Sequence, residues 1–478
     1  MANINDFVCG KDALVGNYDY VVVGTGLTAS AFVHQLDRDV SDKNILVLEA
    51  GNWISDTHFQ NIEPELASQQ FEDAANRVTG VNFPDLVPYR TGFGGRTLFW
   101  TAWTPRPTNG ELEDWPEGIV AGLSPWFTSA EDFLGSQSSG EVDRISLYEE
   151  AVTSIDTVGY DVIPSTIAKY DQRKFCAVDA WKRVCDKTPR NSLKFVFDTK
   201  ISQVIYHDGL AAELVSNHGR IKLGGADLIL CCGTLGNTLL AADAISSKRL
   251  RFGCHGVVSY SVSTQDAYSK EENLSVDSYL VRPRVCHGSH DHHFQISLAK
   301  LGSRCSSREL HKASPDALEL STGLFESSPN AKFACTITCL FDYSPVDAVS
   351  CELDFEALKQ NGQLSLKDYD KFQIGLKKKF GELQQRTINF AHATIRPEIY
   401  ESPTTKVEVR SKYIVHDTVI DDNQNASNIR DWRNVGGAKA RNLYTLGSVA
   451  WPAVGVSNPA VLNVSSSFAL ANELAALS

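Results

Sequence analysis

Apolar residues recur along the chain in two patterns that predict two kinds of sheet. Short apolar runs occupy residues 20–23, 45–48 and 227–230, and each is followed closely by a glycine. Such runs are typical of strands buried on both faces. The segments HHFQISL, FACTITCLFDY, RTINFAHATIRPE and TTKVEVRS instead alternate apolar and polar residues. That alternation predicts strands of an antiparallel sheet.

The first apolar run leads into a glycine turn that is typical of dinucleotide binding. Gly24, Gly26 and Ala29 occupy the G-x-G-x-x-[GA] positions between a predicted strand and a predicted helix. The first glycine permits a tight turn, the second lets the backbone approach a pyrophosphate, and the helix N-terminus favours the phosphate charge. Glu49 ends the next strand, where a carboxylate accepts ribose hydroxyls and repels a 2′-phosphate. An adenine dinucleotide site is predicted, although a plain glycine-rich turn of an α/β protein remains the alternative. Its other predicted contacts are Leu27, Thr28 and Ala50.

The α/β signals lie in three separate parts of the chain, and the alternating segments lie between them. This order predicts a nucleotide-binding domain assembled from residues 17–75, 190–265 and 432–478. Residues 76–189 and 266–431 are then inserted as an α+β substrate domain built on an antiparallel sheet. The polar, Lys-rich residues 345–385 are predicted to form a surface helix pair.

Composition narrows the classes of partner. The 478 residues carry a formal net charge of -13, which argues against nucleic acid or an anionic membrane as a partner and suits a neutral or cationic small molecule. The first 17 residues lack the features of a secretory signal, and no apolar run approaches the roughly 18 residues of a membrane span. We therefore expect a cytoplasmic protein whose eleven cysteines are reduced thiols. Oligomeric state stays open, with a homo-oligomer among the options.

A histidine cluster in VCHGSHDHHF invites a metal interpretation. It contains Cys286, His287, His290, His292 and His293. The spacing matches no structural zinc pattern, so we predict a solvated loop leading into a strand, and no metal.

Two cysteine pairs invite a redox interpretation. Cys231–Cys232 and Cys335 with Cys339 lie in apolar, strand-like runs and do not follow the first nucleotide helix. Both pairs are therefore predicted to be buried core thiols.

Four blocks in the chain resemble a known family. They are VVVGTGLTAS with LEAG, YRTGFGGRTLFWTAW, LILCCGTLGNTLLA and NLYTLGSVAWPAVGVSNPAVL. In this order they resemble the glucose-methanol-choline (GMC) oxidoreductases, in particular the pyranose-oxidase-like branch. The resemblance implies a Rossmann-like FAD-binding domain of the p-hydroxybenzoate-hydroxylase type. It also implies bound FAD and oxidation of an alcohol, often on a sugar.

The resemblance also implies a catalytic pair. Members of the family oxidise a CH–OH group with a His as base and a second His or Asn some forty residues later. Here His416 stands 42 residues before Asn458, so we predict His416 as the base and Asn458 as the hydrogen-bond partner of the substrate oxygen. Asn458 with Pro459 also suits the start of a helix, and an exposed or core-edge role for His416 is the alternative. A helix N-terminus at Asn458 would stabilise an anionic reduced flavin.

The glycine-rich second block is predicted to lie against the flavin. Gly94 and Gly95 would let the backbone approach the ring, with Trp100 and Trp103 as walls of the site or as core aromatics. Pyranose oxidases carry a flavin-linked histidine directly before the tryptophan, whereas this chain has Phe99. FAD bound without a covalent link is therefore predicted. The other predicted FAD contacts are Arg96, Ile201, Cys232, Gly233, Gly447, Ser448 and Pro459, and Gln295 is a predicted substrate contact with Trp103.

The leading function is an FAD-dependent oxidase or dehydrogenase that takes a hydride from a sugar, glycoside or small hydroxylated metabolite. The electron acceptor, oxygen or a quinone-like compound, stays open. His416 is followed by DTVIDDNQ rather than the family's Gly-Thr and Met-Gly. A lyase or other non-redox enzyme with structural FAD therefore remains an alternative, as does a non-catalytic binding protein.

Overall fold

Strands from distant parts of the chain form two large sheets in this computed structural model. It describes residues 3–39, 42–62, 91–113, 115–138, 160–171, 173–189, 191–244, 250–264, 275–283, 292–300, 333–343, 369–395, 400–412, 417–421, 428–435, 437–451 and 458–477. The strands of these ranges are β1 (Tyr20–Val23), β2 (Ile45–Leu48), β3 (Ser136–Ser138), β4 (Tyr160–Pro164), β5 (Thr166–Tyr170), β6 (Arg173–Lys174), β7 (Leu193–Val196), β8 (Ile201–His207), β9 (Leu210–Ser216), β10 (Gly219–Lys222), β11 (Asp227–Leu230), β12 (Leu250–Thr264), β13 (Ser275–Pro283), β14 (His292–Lys300), β15 (Phe333–Tyr343), β16 (Lys406–Lys412), β17 (Asp417–Asp421), β18 (Leu443–Thr445) and β19 (Val449–Trp451).

Helices cover both large sheets. They are α1 (Leu27–Asp39), α2 (Glu117–Leu123), α3 (Phe127–Leu134), α4 (Ala177–Lys187), α5 (Gly233–Ala241), α6 (Tyr369–Thr394), α7 (Ile429–Arg433) and α8 (Ala460–Ala475). Among the described residues, no helix combines the length and the apolar composition needed to cross a bilayer.

The first large sheet is parallel and has five strands in the order β18-β11-β1-β2-β7. Val22 pairs with Val47 on one side and with Ile229 on the other, and all three are fully buried. Helices α1 and α8 pack together beneath it, and the three-stranded sheet β8–β10 contributes to the core on its other side. The predicted α/β architecture with separate parallel and antiparallel sheets is confirmed.

The second sheet has eight strands in the order β19-β17-β12-β15-β14-β13-β4, with β16 also paired to β12. Its centre is β12, whose residues 250–264 the sequence interpretation had placed in the nucleotide domain. The strand pairs along its length with β15 and on its other edge with β16 and β17, so it belongs to the antiparallel sheet. Strand β19 follows β18 closely along the chain and pairs with β17. The two large sheets therefore approach each other at residues 447–449.

Helix α6 covers one face of the antiparallel sheet. Phe390 stacks on Phe294 with ring centroids 4.0 Å apart, and Phe380 packs edge-on against Phe341 at 5.3 Å. The prediction of a strand over RTINFAHATIRPE is wrong, because residues 386–394 continue α6. The buried positions Phe380, Leu383 and Phe390 follow a helical period, which the alternation over a short window concealed. Of the predicted surface helix pair over residues 345–385, residues 345–368 lie outside the described residues, and residues 369–385 form the first part of α6, which packs on the sheet.

Candidate active site

The glycine turn after β1 leaves open space at the N-terminus of α1. Gly24 has a φ of +104°, and a Cβ atom there would lie 2.5 Å from the carbonyl oxygen of Cys231. At Gly26, by contrast, a Cβ atom would meet no atom within 4 Å. Gly95 lies beside it, with its own Cβ position 3.4 Å from the Gly26 Cα. The turn thus has the shape that close approach of a phosphate requires.

Glu49 is buried, and its carboxylate accepts four hydrogen bonds within the protein. One oxygen accepts from the N–H groups of Gly51 at 2.9 Å and Gly92 at 3.1 Å. The other accepts from the Thr25 N–H at 3.2 Å and the Thr25 hydroxyl at 2.5 Å. A carboxylate has about four acceptor positions. The ribose hydroxyls predicted for Glu49 would therefore replace one of these donors, and the Thr25 hydroxyl is the only rotatable one.

Thr25 is a residue that sequence reasoning missed. Besides bonding to Glu49, its hydroxyl accepts from the Gly94 N–H at 3.1 Å, and its carbonyl accepts from Trp181 Nε1 at 2.9 Å. The bond from Gly94 joins the glycine turn to the second glycine-rich block across 69 positions of sequence. Its place at the variable position of G-x-G is the only sequence feature that pointed to Thr25.

Gly447 and Arg433 lie at the junction of the two sheets. Gly447 has a φ of +95°, and a Cβ atom there would meet nothing within 4 Å. The fully buried Arg433 donates from Nη1 to the carbonyls of Gly447 at 2.9 Å and Val449 at 3.2 Å. Among the described residues its Nε and Nη2 have no hydrogen-bond partner. Burial lowers the pKa of Arg433 to about 9, so the guanidinium is still charged near neutral pH.

The turn after β11 is tied to the end of β18 by Asn237, another residue that the sequence did not single out. Asn237 Oδ1 accepts from the Cys232 N–H at 2.9 Å, and its Nδ2 donates to the Leu446 carbonyl at 2.7 Å. Gly233, with a φ of +78°, begins α5. Three predicted FAD contacts, Cys232, Gly233 and Gly447, are thereby brought to neighbouring strand ends of one parallel sheet.

The remaining predicted FAD contacts have mixed surroundings. Leu27 and Thr28 begin α1, and Ala50 follows Glu49 at the end of β2. Ile201 starts β8 and packs in the core. Ser448 is buried beside Gly447, and Arg96 is half-buried in the glycine-rich loop.

The aromatic residues of the second block pack mainly within the protein. Phe99 contacts Phe59 edge-on at 4.1 Å between ring centroids, and Trp100 Nε1 donates to the Phe175 carbonyl at 2.8 Å. Trp103 is buried and bridges to Ile167. Its predicted substrate contact stays a prediction.

Asn458 is buried and points to the antiparallel sheet. Its Oδ1 accepts from Gln295 Nε2 at 2.7 Å, across 163 positions of sequence. Helix α8 begins at Ala460 with Pro459 at the N-cap position, and no side chain caps it. The Asn458 amide is thus engaged with Gln295 rather than with the helix end.

His293 extends this contact. Gln295 Nε2 also approaches His293 Nε2 at 3.2 Å. Burial, with smaller effects of Arg282, His255 and His292, lowers the pKa of His293 well below its ordinary value. The strand predicted over HHFQISL is confirmed as β14, which begins at His292, and both His292 and His293 are buried in it. Residues 284–291 lie outside the described residues, and within the described part of the chain no cluster could hold a metal ion.

Buried hydroxyl groups share a face of the sheet with Gln295. Thr338 pairs with Gln295 across β14 and β15, and its hydroxyl lies 3.3 Å from that of Ser259. Two residues along the strands, Ser261 and Thr336 make the same contact at 3.2 Å. The opposite face carries the apolar residues that pack on α6. A polar, buried face is thereby directed to the Asn458 side of the sheet.

His416, the predicted base, lies outside the described residues. The next residue, Asp417, begins β17 and pairs with Cys254 of β12, adjacent to the buried His255. Cys231, Cys335 and Cys339 are buried as predicted, Cys232 is partly buried, and none of these four cysteines forms a disulfide.

The amino-acid sequence matches no family model and no curated protein, so the comparison with known proteins rests on the fold. Pyridoxine 4-oxidase from Mesorbium loti is similar with a TM-score of 0.59 and 12% identity, over 96% of this chain and 99% of that one. A fungal aryl-alcohol oxidase is similar with a TM-score of 0.58 and 11% identity, over 96% and 99%. Both neighbours are GMC oxidoreductases. The resemblance predicted from four sequence blocks is therefore confirmed at the level of the fold: this chain has the fold of the GMC oxidoreductases.

Proposed function

We propose that this protein is an FAD-dependent oxidoreductase that acts on a CH–OH group of a small, polyhydroxylated substrate such as a sugar or glycoside. The contact between Gln295 and Asn458 carries the proposal, because it brings the start of α8 against the polar face of the antiparallel sheet. The shared fold with two alcohol oxidases supports the reaction class.

The residues around the glycine turn fit FAD. Gly26 and Gly447 leave open backbone where a diphosphate would lie, and Glu49 supplies a carboxylate for the adenosine ribose. Arg433 supports this site from within the protein, because its Nη1 donates to the carbonyls of Gly447 and Val449. Phe99 offers no nucleophile for a covalent link.

In the proposed reaction, bound FAD supplies the hydride acceptor. His416 takes the hydroxyl proton of the substrate, since an imidazole has a pKa of ~6.5 and is a suitable base near neutral pH. Asn458 donates a hydrogen bond from Nδ2 to the same oxygen and holds it as its negative charge develops. The buried sheet face excludes water from this oxygen.

The substrate class follows from the character of that face. The paired hydroxyls of Ser259 with Thr338, and of Ser261 with Thr336, can each both donate and accept. A substrate with several hydroxyl groups would fill the donor and acceptor positions that each pair leaves open, whereas an aromatic alcohol would leave those positions unfilled. The electron acceptor is oxygen or a quinone-like compound.

An anaerobic absorbance titration tests the proposal. The purified protein is reconstituted with FAD and titrated with sugars, glycosides and simple secondary alcohols, then exposed to air. We expect polyhydroxylated compounds to bleach the flavin band, and recovery in air to separate an oxidase from a dehydrogenase. The matched variant Asn458→Ala should bind FAD but bleach roughly 100-fold more slowly.

Two outcomes would contradict the proposal. A protein that takes up no FAD lacks the cofactor site. A yellow protein that no alcohol bleaches, with His416→Ala unchanged in every spectrum, would favour the lyase or the binding protein with structural FAD.

A further inference from the structure

A single amide nitrogen links three buried side chains at the start of α8. Gln295 Nε2 carries two hydrogens, and it lies 2.7 Å from Asn458 Oδ1 and 3.2 Å from His293 Nε2. Asn458 Oδ1 is an acceptor, and His293 Nε2 must also accept, because the amide nitrogen of Gln295 only donates. Each bond in the chain therefore restricts the orientation of the next side chain.

We propose that His293 is a positioning residue which, through Gln295, fixes the orientation of the Asn458 amide so that its Nδ2–H group faces the substrate oxygen. The role for the substrate rests on the proposed function. The hydrogen-bond chain itself requires no substrate.

The hydrogen bonds from Gln295 to His293 and to Asn458 form together only if His293 Nε2 is an acceptor. An accepting Nε2 requires the ring proton to be on Nδ1 and the imidazole to be neutral. Burial favours the neutral form, and the positive charge of Arg282, at the end of the neighbouring strand β13, adds to this effect. A His293 that donated from Nε2 would repel the Gln295 N–H group and turn the Gln295 carbonyl toward itself. Asn458 would then lose the donor that holds its Oδ1.

The consequence for Asn458 is a defined pair of hydrogen-bonding groups. With Oδ1 held by Gln295, its Nδ2 has no partner among the described residues, and neither has Gln295 Oε1. One donor and one acceptor thus remain on two side chains in contact. A pair of neighbouring hydroxyls on one substrate would match these two groups, which makes vicinal diols the favoured substrates.

The sheet makes this arrangement rigid. His293 and Gln295 are two positions apart and therefore share a face of β14, which is paired on both sides by β13 and β15. Asn458 is fixed by its place directly before Pro459 and α8. Side chains on such elements hold their geometry better than side chains on loops.

The tautomer of His293 can be measured directly by nitrogen-15 NMR of the FAD-bound protein labelled at histidine. The His293 signals are those lost in His293→Gln. We expect a neutral ring protonated on Nδ1 that does not titrate near pH ~6.5, the ordinary histidine pKa. In Gln295→Leu the Nε2 signal should shift, because its donor is gone. An Nε2-protonated or cationic ring, or no shift in Gln295→Leu, would overturn the proposal.

Kinetics of three variants test the effect on the substrate. His293→Phe removes the acceptor and should lower the flavin reduction rate roughly 10- to 100-fold, with a smaller change in substrate affinity. His293→Gln places an amide oxygen near the position of Nε2 and should restore most of the rate. His292→Phe, on the opposite face of the same strand, is the matched control and should keep the wild-type rate.

The outcomes separate this proposal from the proposed function. Equal loss in His293→Phe and His293→Gln, or no loss in either, contradicts the positioning role. If no alcohol reduces the wild-type flavin, the proposed function fails, and the NMR result still decides whether the hydrogen-bond chain exists.

Discussion

At the residue scale, buried polar groups decide what the site can bind. Glu49 accepts four hydrogen bonds from protein donors. Arg433 is buried beside the turn at Gly447, where its Nη1 donates to the Gly447 and Val449 carbonyls. Arg433 therefore holds this turn in place from within the protein.

Replacing Arg433 by Met should lower both stability and FAD affinity. The unfolding free energy of the apoprotein should fall by roughly 1–3 kcal/mol, because the buried carbonyls of Gly447 and Val449 lose their donor. FAD should bind roughly 10-fold more weakly, because the turn at Gly447 is no longer held in place. Urea unfolding of the apoprotein and fluorescence titration with FAD measure the two effects.

Arg430→Met is the control for this variant, because it lies in the same helix α7 and its side chain bonds to Tyr444. Its FAD affinity should equal that of the wild type. A destabilised Arg433→Met apoprotein with unchanged FAD affinity would show that the turn at Gly447 does not contribute to FAD binding.

At the scale of elements, the packing of the helices and the two faces of the antiparallel sheet have separate roles. Helix α1 packs against α8, and its His34 ring contacts Phe133 at 5.0 Å and Phe468 at 6.1 Å between centroids. In the antiparallel sheet, one face packs on α6 while the other carries hydroxyls. Each of these arrangements predicts a measurable effect.

Helix packing at His34 should make stability depend on pH. Burial first, then Arg183, Lys187 and Arg38, lowers the pKa of His34 to about 4. The unfolded chain takes up the proton near pH ~6.5, so the free energy of unfolding falls as the pH drops from there toward 4, by up to about 3 kcal/mol. His34→Phe removes this contribution. Lowering the pH from about 7.5 to about 4.5 should reduce the urea midpoint of the wild type more than that of His34→Phe. An equal difference between the two proteins at both pH values would contradict the assignment.

The hydroxyl face should discriminate between substrates. Thr338→Val removes a hydroxyl next to Gln295 and should raise KM for a polyol roughly 10-fold while leaving a simple secondary alcohol unaffected. Cys339→Val, one residue along on the α6 face, is the control and should change neither KM. Steady-state kinetics with both substrates measure the effect, and an equal loss for both would show that the face does not contact substrate.

At the scale of the whole molecule, two sheets from interleaved segments meet at residues 447–449 and at Asn458. The cofactor proposed for this junction would contact several segments at once, so its binding should stabilise the whole fold. That fold is shared with two oxidases at 11% and 12% identity.

Denaturation of the protein should release FAD chemically unchanged. Acid precipitation should release the flavin into the supernatant and leave a colourless pellet, because Phe99 stands where a covalent histidine would be. Adding FAD to the apoprotein should raise Tm through preferential binding to the folded state. A yellow pellet would contradict the non-covalent assignment.

The sequence by itself determined what depends on neighbouring residues. The β1 strand, its glycine turn, α1 and β2 follow from a pattern of about thirty residues, within one βαβ unit. The order of four short blocks was enough to predict the fold shared with the GMC oxidoreductases. These features are local because strand burial, positive φ and helix starts depend on residues close in sequence.

Only the tertiary structure decided which residues meet. The Gln295–Asn458 bond spans 163 positions, and the burial of His293 depends on neighbouring strands far away in the chain. The place of β12 in the antiparallel sheet, and the helix where RTINFAHATIRPE alternates, depend in the same way on long-range pairing and packing. An apolar pattern reports that a residue will be buried, whereas its partners are selected by the competition among all surfaces in the folded chain.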